Sequence, residues 1–481
     1  MQGGNDVDYP GVISTSCQRS RCAVIGRPAG RRGEDQQMSL FGDKAINSTY
    51  CLEYYLKPSR IQVHIKFFHK IVTKPKKHTW LFLSKFRRHA FGWRSQRAIM
   101  RVKEAVKEIK ATARKDPLLG AEGAILLIER LSPALEQVDS SSGAIGNTVN
   151  KAIEALVPII ANAPADDQLR GKWLDRLWKA IEEDDIPYIE LLPEHWGTLC
   201  HSPQLASHWA DTLMAPIRIS WSHERNAGSG YFEGTSACLS ALLKAGRFKE
   251  IMELLDLAPY MFWNERKWGV KALAAMGKKA EALRYAEDSR DNYSSPIAIA
   301  QACEELLLAS GMAEEAYSRY AIEANQKNTY LATFRAIAKK YPNKTGKEIL
   351  FDLVASTPGD EGKWFAAAKS VQLYQEAIEL VRNSPCDPKT LTMAARDLKD
   401  KEPLFAAEAG RAALQWIIAG YGYEIGVSDV LNAYSFTMEA AENAACREEV
   451  MHRIRSMVSN DLSRGGFVGK ILGSEPDIAQ G

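Results

Sequence analysis

Six short segments in the later part of this 481-residue chain share one pattern, and that repeat constrains the fold more than any other feature. Four of them align without gaps: Gly246 to Ile251, Gly277 to Ala282, Gly311 to Ala316 and Gln372 to Ala377. Each is a turn residue, three variable residues, Glu, and then Ala or Ile. Glu348-Ile349 and Glu408-Ala409 fit as weaker copies. The glutamates stand at 250, 281, 315, 348, 376 and 408, so their spacings are 31, 34, 33, 28 and 32. A period of this size belongs to a unit that cannot bury its own apolar face and completes its core by stacking on its neighbours.

The residue types fit two helices joined by a turn. Glycine reaches the positive φ needed where the first helix ends. A glutamate in the first turn of the second helix faces the positive end of its dipole. The small residue after it lets the helices approach. Leu242, Leu273, Leu307 and Ala368, four residues before each turn, suit the packed face. The element Gly-x-aromatic-x-Glu-Ala at a period near 34 resembles the tetratricopeptide repeat. Gly246, Phe248 and Glu250 carry it best; Gly277 and Gly311 lack the aromatic residue, and Gln372 replaces the glycine while Tyr374 is kept. The resemblance covers about 230–415. It implies an all-α fold, a right-handed α-solenoid of tetratricopeptide-like helix pairs, behind an irregular helical N-terminal section.

In such arrays the first helices build a concave surface, and positions six, ten and thirteen before the turn face it. Carried onto this chain, that implies a partner-binding groove of Glu233, Ser236 and Ser240, then Asn264, Lys267 and Lys271, then Ala298, Gln301 and Glu305. Lys267 and Lys271 share one helix face and form a candidate clamp for a carboxylate. A broader stretch, about Arg87 to Met457, is similar to an uncharacterised family of bacterial all-helical proteins. Arg88 to Trp93, Leu131 to Leu135, Asp360 to Lys369, Ser384 to Lys389 and Gly420 to Ile425 carry that likeness. Some related bacterial proteins hold a SWIM-type zinc finger. Its cysteines and histidine are missing here, so the likeness implies no zinc or DNA role, and it brings no known activity.

Ahead of the repeats, apolar periodicity predicts helices over 120–131, 143–162, 166–183, 202–214 and 232–245. Pro158 falls inside one of them and predicts a kink or break. Most of the eleven tryptophans, Trp173, Trp178, Trp263, Trp268, Trp364 and Trp416 among them, are expected to fill gaps between helices.

The net charge of +3 is an average of unlike parts. Residues 57–115 hold 18 basic and 2 acidic side chains, whereas 116–481 carry a net charge of −13. Within the basic stretch, Ile61, Val63 and Ile65 alternate as a strand does. Arg94 to Lys115 reads as a helix with Ile99, Val102, Val106 and Ile109 on one face and Arg101, Lys103, Lys107, Lys110 and Arg114 on the others. The opposite charges favour docking of this helix on the acidic body. Basic and aromatic residues together are the composition of a polyanion surface, and Lys74, Lys76, Lys77, Arg87, Arg88, Arg94 and Arg97 are its candidate contacts. Five segments follow: 1–56, a disordered or mis-assigned extension with Met38 and Met100 as alternative starts; 57–115, basic and aromatic-rich; 116–229, irregular helical; 230–460, the repeats; and 461–481, a flexible tail.

Chemistry is sparse. Eight cysteines, none in a C-x-x-C pair, make neither a disulfide scaffold nor a zinc site. No secretory leader or apolar run of spanning length is present, and a reducing, cytoplasmic setting is expected. His223-Glu224 stands alone rather than in H-E-x-x-H, and no phosphate loop or nucleophile elbow occurs. Glu182, Glu183, Asp184 and Asp185 read as a solvated run before Pro187. Cys386, beside a helix start at Asp387-Pro388, sits where a thiol pKa can fall. No catalytic residue, metal ligand or cofactor is assigned, and a small-molecule substrate is not expected. The chain reads as a non-catalytic helical-repeat scaffold for a protein or peptide partner. Its rivals are a nucleic-acid-associated protein using 57–115 and an enzyme with an unrecognised site.

Overall fold

Helices begin and end in this protein largely where turn chemistry tells them to. In the computed structural model the described residues are 53–57, 60–64, 78–222, 232–258, 262–291 and 294–479. An antiparallel hairpin, β1 (Glu53–Lys57) and β2 (Arg60–His64), pairs Tyr54 with Val63 and Leu56 with Ile61. β2 holds the Ile61 and Val63 alternation; Ile65 lies outside the described residues. Among the described residues every element after it is helical, with twenty-two α-helices.

The first six are α1 (Ser95–Ala113), α2 (Pro117–Leu135), α3 (Ala144–Ala161), α4 (Asp167–Glu182), α5 (Trp196–Cys200) and α6 (Pro203–Ser222). Asp116 and Asp166 cap α2 and α4 by accepting from the Leu119 and Leu169 amides at 3.0 and 2.7 Å. α1 docks on α2 and α3 through Ile99, Val102, Ala105 and Ile109, all buried. Pro158 does not break α3, which continues to Ala161. It sits in the last turn, where the Asn162 amide still reaches the Pro158 carbonyl at 3.0 Å. The helix expected over 202–214 likewise runs on through Pro216 to Ser222. Trp178, Trp196 and Trp209 meet edge to face or tilted at 4.9–5.7 Å in this half of the core. Arg170, buried near the Trp173 ring, donates to the carbonyls of Ile160, Ala163 and Leu199 and so closes the ends of α3 and α5.

From there the helices come in consecutive pairs: α7 (Thr235–Lys244) with α8 (Phe248–Asp256), α9 (Trp263–Ala275) with α10 (Lys279–Glu287), α11 (Pro296–Leu308) with α12 (Ala313–Ala324), and α13 (Tyr330–Lys340) with α14 (Gly346–Ala355). Then follow α15 (Phe365–Ser370) with α16 (Tyr374–Asn383), α17 (Pro388–Leu398) with α18 (Pro403–Ile418), and α19 (Val427–Asn443) with α20 (Arg447–Ser463). The expected turns are formed. Gly246, Gly277 and Gly311 have φ of 76°, 80° and 75°, and Gln372 follows at 61°. In each turn the next amide (Arg247, Lys278, Met312 or Leu373) bonds back to the carbonyl of Leu242, Leu273, Leu307 or Ala368 at 2.9–3.1 Å. The positions singled out for packing therefore also close the helix end. Ala445, a non-glycine at φ 55°, makes the same closure between α19 and α20.

Glu250, Glu281, Glu315, Glu348 and Glu376 all fall at the third position of their helices. Glu408 does not: α18 starts at Pro403, so this residue is mid-helix and pairs with Arg411 and Arg453. Its spacing of 32 was coincidental. Residues 461–479, within the segment expected as a flexible tail, carry helices. α20 runs to Ser463, and α21 (Phe467–Leu472) and α22 (Pro476–Ala479) follow. Val468 and Leu472 are buried, and the Asp461 carboxylate accepts from the Gly469 amide at 2.7 Å.

Two apolar cores result. One gathers residues from Trp80 to Ala272, the other from Trp263 to Leu472. They share α9, which sends Trp268 and Ala272 into the first and Trp263, Val270 and Leu273 into the second. α7 packs on α9, α9 on α11, α13 on α15 and α17 on α19, while α16 packs on α18 and α18 on α20. No helix among the described residues is long and apolar enough to cross a membrane.

Candidate partner-binding cleft

The residues assigned to the groove share a neighbourhood but not a role. Ser240 is buried and structural. Its hydroxyl donates to the Glu194 carbonyl at 2.8 Å and accepts from the Gly197 amide at 3.0 Å, which pins the turn before α5. Glu233 and Asn264 are exposed, and Ser236 and Ala298 half-buried. Gln301 is spent on the Ala324 carbonyl at 3.0 Å, and Glu305 is exposed. Lys267 does clamp a carboxylate, but the chain's own: its ammonium lies 2.6 Å from Glu194. Lys271 sits 4.4 Å over the Trp268 ring. Burial, then the neighbouring Lys267 charge, pulls its pKa down. Burial also lowers His195 and raises Glu265 beside them. An intramolecular glutamate thus occupies half of the expected clamp.

Farther along the chain lies an open cleft of about 800 Å³. Its walls are the N-terminal ends of α13 and α17, the 359–363 turn that leads into α15, and the loop after α18. Thr329 and Asp387 cap the two helices by accepting from the Ala332 and Thr390 amides at 3.2 and 2.9 Å. Asp360 accepts from Lys363 at 2.8 Å and from the Tyr330 hydroxyl at 3.3 Å. The Lys363 bond holds the Asp360 carboxyl below its ordinary value. Lys389 reaches the carbonyls of Tyr423 and Glu424 at 3.1 and 3.3 Å and so holds the loop in place. Tyr423 is 79% exposed at the rim. Close backbone approach lies behind the wall, where a Cβ on Gly362 would stand 2.2 Å from the Ser384 carbonyl oxygen and 2.5 Å from that of the cleft-lining Pro385.

No groove position reasoned from repeat spacing pointed to Tyr330, Lys363, Asp387, Thr390 or Tyr423. A signal was nevertheless present. Asp360 to Lys369, Ser384 to Lys389 and Gly420 to Ile425 were three of the phrases behind the broader resemblance, and the fold brings all three to this cleft.

The remaining candidates separate cleanly. Arg87, Arg88, Arg94 and Arg97 are exposed, with Arg88 3.4 Å from Glu136. Lys74, Lys76, Lys77 and His223-Glu224 lie outside the described residues. The acidic run before Pro187 is engaged internally: Asp184 accepts from the Ile189 amide at 2.8 Å, Glu182 from the Trp178 indole at 3.0 Å, and Glu183 stands 3.6 Å from Lys179. Burial pushes the Cys386 thiol up to about 12, against the direction a helix N-terminus favours. No family model and no curated protein matches this chain.

Proposed function

We propose that α7 to α20 stack as a right-handed solenoid of tetratricopeptide-like pairs, and that the chain is a non-catalytic scaffold holding a protein or peptide partner. The cleft at the leading ends of α13, α15 and α17 is the observation that carries this reading. It is open, it spans three successive pairs, and its exposed rings offer contact area at low ordering cost.

Two further features support the stack. The helix-closing turn recurs with the same backbone geometry. Side-chain bonds also join residues about one repeat apart: Arg319 to Glu287 at a separation of 32, Arg290 to Glu323 at 33, Tyr317 to Asp352 at 35 and Lys347 to Glu376 at 29. A reducing, cytoplasmic setting suits the free thiols of Cys200, Cys238, Cys303 and Cys386, all buried.

The test uses the full chain and two variants, Tyr423→Ala and Lys363→Ala, whose exposed side chains leave the core intact. Partners co-purified from the native cell are identified by mass spectrometry, and the purified partner is then titrated against all three proteins. Tenfold or greater weakening with Tyr423→Ala is the expected result. A partner that binds both variants as tightly as the parent chain refutes the cleft as its seat.

A further inference from the structure

α1 carries a line of charge with no carboxylate paired to it among the described residues. Between residues 57 and 115 only two side chains are acidic, Glu104 and Glu108. Both are engaged on one flank of the helix. Glu104 holds Arg101 at 2.6 Å and Lys85 at 3.6 Å, and Glu108 accepts from the Leu81 and Phe82 amides at 2.8 and 3.1 Å. The buried face is filled by Ile99, Val102, Ala105 and Ile109.

On the other flank stand Lys103, Lys107, Lys110 and Arg114, all exposed. At about 100° per residue they fall within roughly 60° of arc, and at ~1.5 Å per residue they extend about 16 Å along the axis. None of the four has a carboxylate within 4.0 Å among the described residues. The acids of the neighbouring helices are drawn inward. Glu122 and Glu129 hold Arg176, and Glu136 faces Arg88 and His89. Just before the helix, the Trp93 ring is 71% exposed.

We propose that this stripe is a sequence-independent contact for single-stranded nucleic acid, with the four cations tracking phosphates and Trp93 stacking on a base. Charge complementarity selects a polyanion, because a linear row of unpaired cations meets a linear row of phosphates. The buried apolar face argues against a membrane: an interfacial helix needs that face free to enter the lipid, and here it is committed to α2 and α3. The exposed ring favours a single strand over a duplex, since only unstacked bases offer a face to an indole.

The experiment compares the full chain, a Lys103→Gln/Lys107→Gln/Lys110→Gln/Arg114→Gln variant and Trp93→Ala. Each is titrated with a labelled thirty-nucleotide single strand, a duplex of equal length and phosphatidylserine vesicles over a series of salt concentrations. Counterion release gives a slope of about −0.7 per phosphate on a log–log plot for single strands, so the fourfold variant loses about 3 from the slope. Trp93→Ala keeps the slope and binds the single strand about 5- to 150-fold more weakly, the range expected for one lost stack. An unchanged slope in the fourfold variant overturns the stripe. Equal binding and equal losses with the duplex overturn the single-strand assignment. Stripe-dependent binding to vesicles without binding to the oligonucleotide overturns nucleic acid as the occupant. Circular dichroism of each variant matches the parent chain, as expected for exposed side chains.

Discussion

Glu304 offers the sharpest test of how this stack is held together. It lies on α11 with no exposed surface, yet it carries a carboxylate. The Asn325 amide donates to it at 2.7 Å from the end of α12, the Tyr341 hydroxyl at 2.6 Å from the end of α13, and the Lys340 ammonium donates to its other oxygen. One side chain therefore ties three consecutive helices. The Tyr341 phenol is held well above its ordinary value by burial and then by this bond.

Hydrogen bonds to a charged group contribute about 1.5–3 kcal/mol each, and a buried polar partner left alone costs about 1–3 kcal/mol. Glu304→Ala strands the Tyr341 hydroxyl and takes one of two acceptors from the Asn325 amide, which keeps the Ala321 carbonyl at 2.8 Å, while Lys340 is partly exposed and regains water. The expected loss is about 2–4 kcal/mol, from the charge-assisted bonds lost and the buried hydroxyl left alone. Glu304→Gln keeps the shape but turns an acceptor into a donor, with an expected loss of about 2–3 kcal/mol. Stacked repeats need not unfold in one step, so urea unfolding by circular dichroism is paired with hydrogen exchange resolved over α11 to α13. Faster exchange concentrated at the ends of those helices is the expected signature. A Glu304→Gln protein within about 0.5 kcal/mol of the parent, with unchanged local exchange, refutes the reasoning, because ordinary surface substitutions do no more than that.

Three further outcomes follow from the same geometry. Ser240→Ala leaves the buried Gly197 amide without its acceptor and should lose about 1–3 kcal/mol in urea unfolding. Gly362→Ala places a methyl group 2.2 Å from the Ser384 carbonyl oxygen and should lose about 1–3 kcal/mol while displacing the cleft wall, visible as altered near-ultraviolet dichroism. Burial lowers His195 below its ordinary value near 6.5, against Glu194 and Glu154 and with Lys271 and Lys267, so below that pH the unfolded chain binds the proton first. Stability then falls as pH drops from about 6.5 through the depressed folded value, by at most about 1.4 kcal/mol per pH unit, and His195→Gln should flatten that fall in unfolding curves at pH 6.5 and 5.5.

What could be read from the sequence was local, and what could not was distant or rule-breaking. Gly246, Gly277 and Gly311 announced their turns because a positive φ is cheapest for glycine, and the glutamates three residues into the next helix followed by spacing alone. Ala445 takes the same conformation without the residue that signals it, so its turn went unread. Glu408 matched the spacing but not the helix start, which Pro403 sets instead. Lys267 was read as part of a clamp for a partner's carboxylate, but the carboxylate it holds is Glu194, 73 residues back, where no periodicity points. The cleft has the same character. Asp360, Asp387 and Tyr423 are neighbours only because α13 to α18 fold as they do.

The sharing of α9 between two cores bears on why an irregular helical section precedes the repeats at all. A stack of helix pairs leaves an apolar face at each end, and an end of that kind must be covered with something polar outside. At the leading end, α5 and α6 pack on α7, and Ser240, Gly197 and Glu194 join the two parts through buried bonds, alongside the Lys267–Glu194 and Arg247–Asp211 ion pairs. Gly197 is the mark of that junction: a Cβ there would lie 2.2 Å from the Ser240 carbonyl oxygen, so only glycine lets α5 come this close to α7. Within the stack, Gly362 stands at the same distance from Ser384 where the turn before α15 meets the chain leaving α16. The N-terminal section thus meets the first pair with a closeness the stack uses for its own members. At the far end, α21 covers α18 and α19 with Val468 and Leu472. On the solenoid reading, α1 to α6 and α21 to α22 are caps, and the strongly basic helix α1 lies on the outermost layer, where a stripe of unpaired cations disturbs no packing.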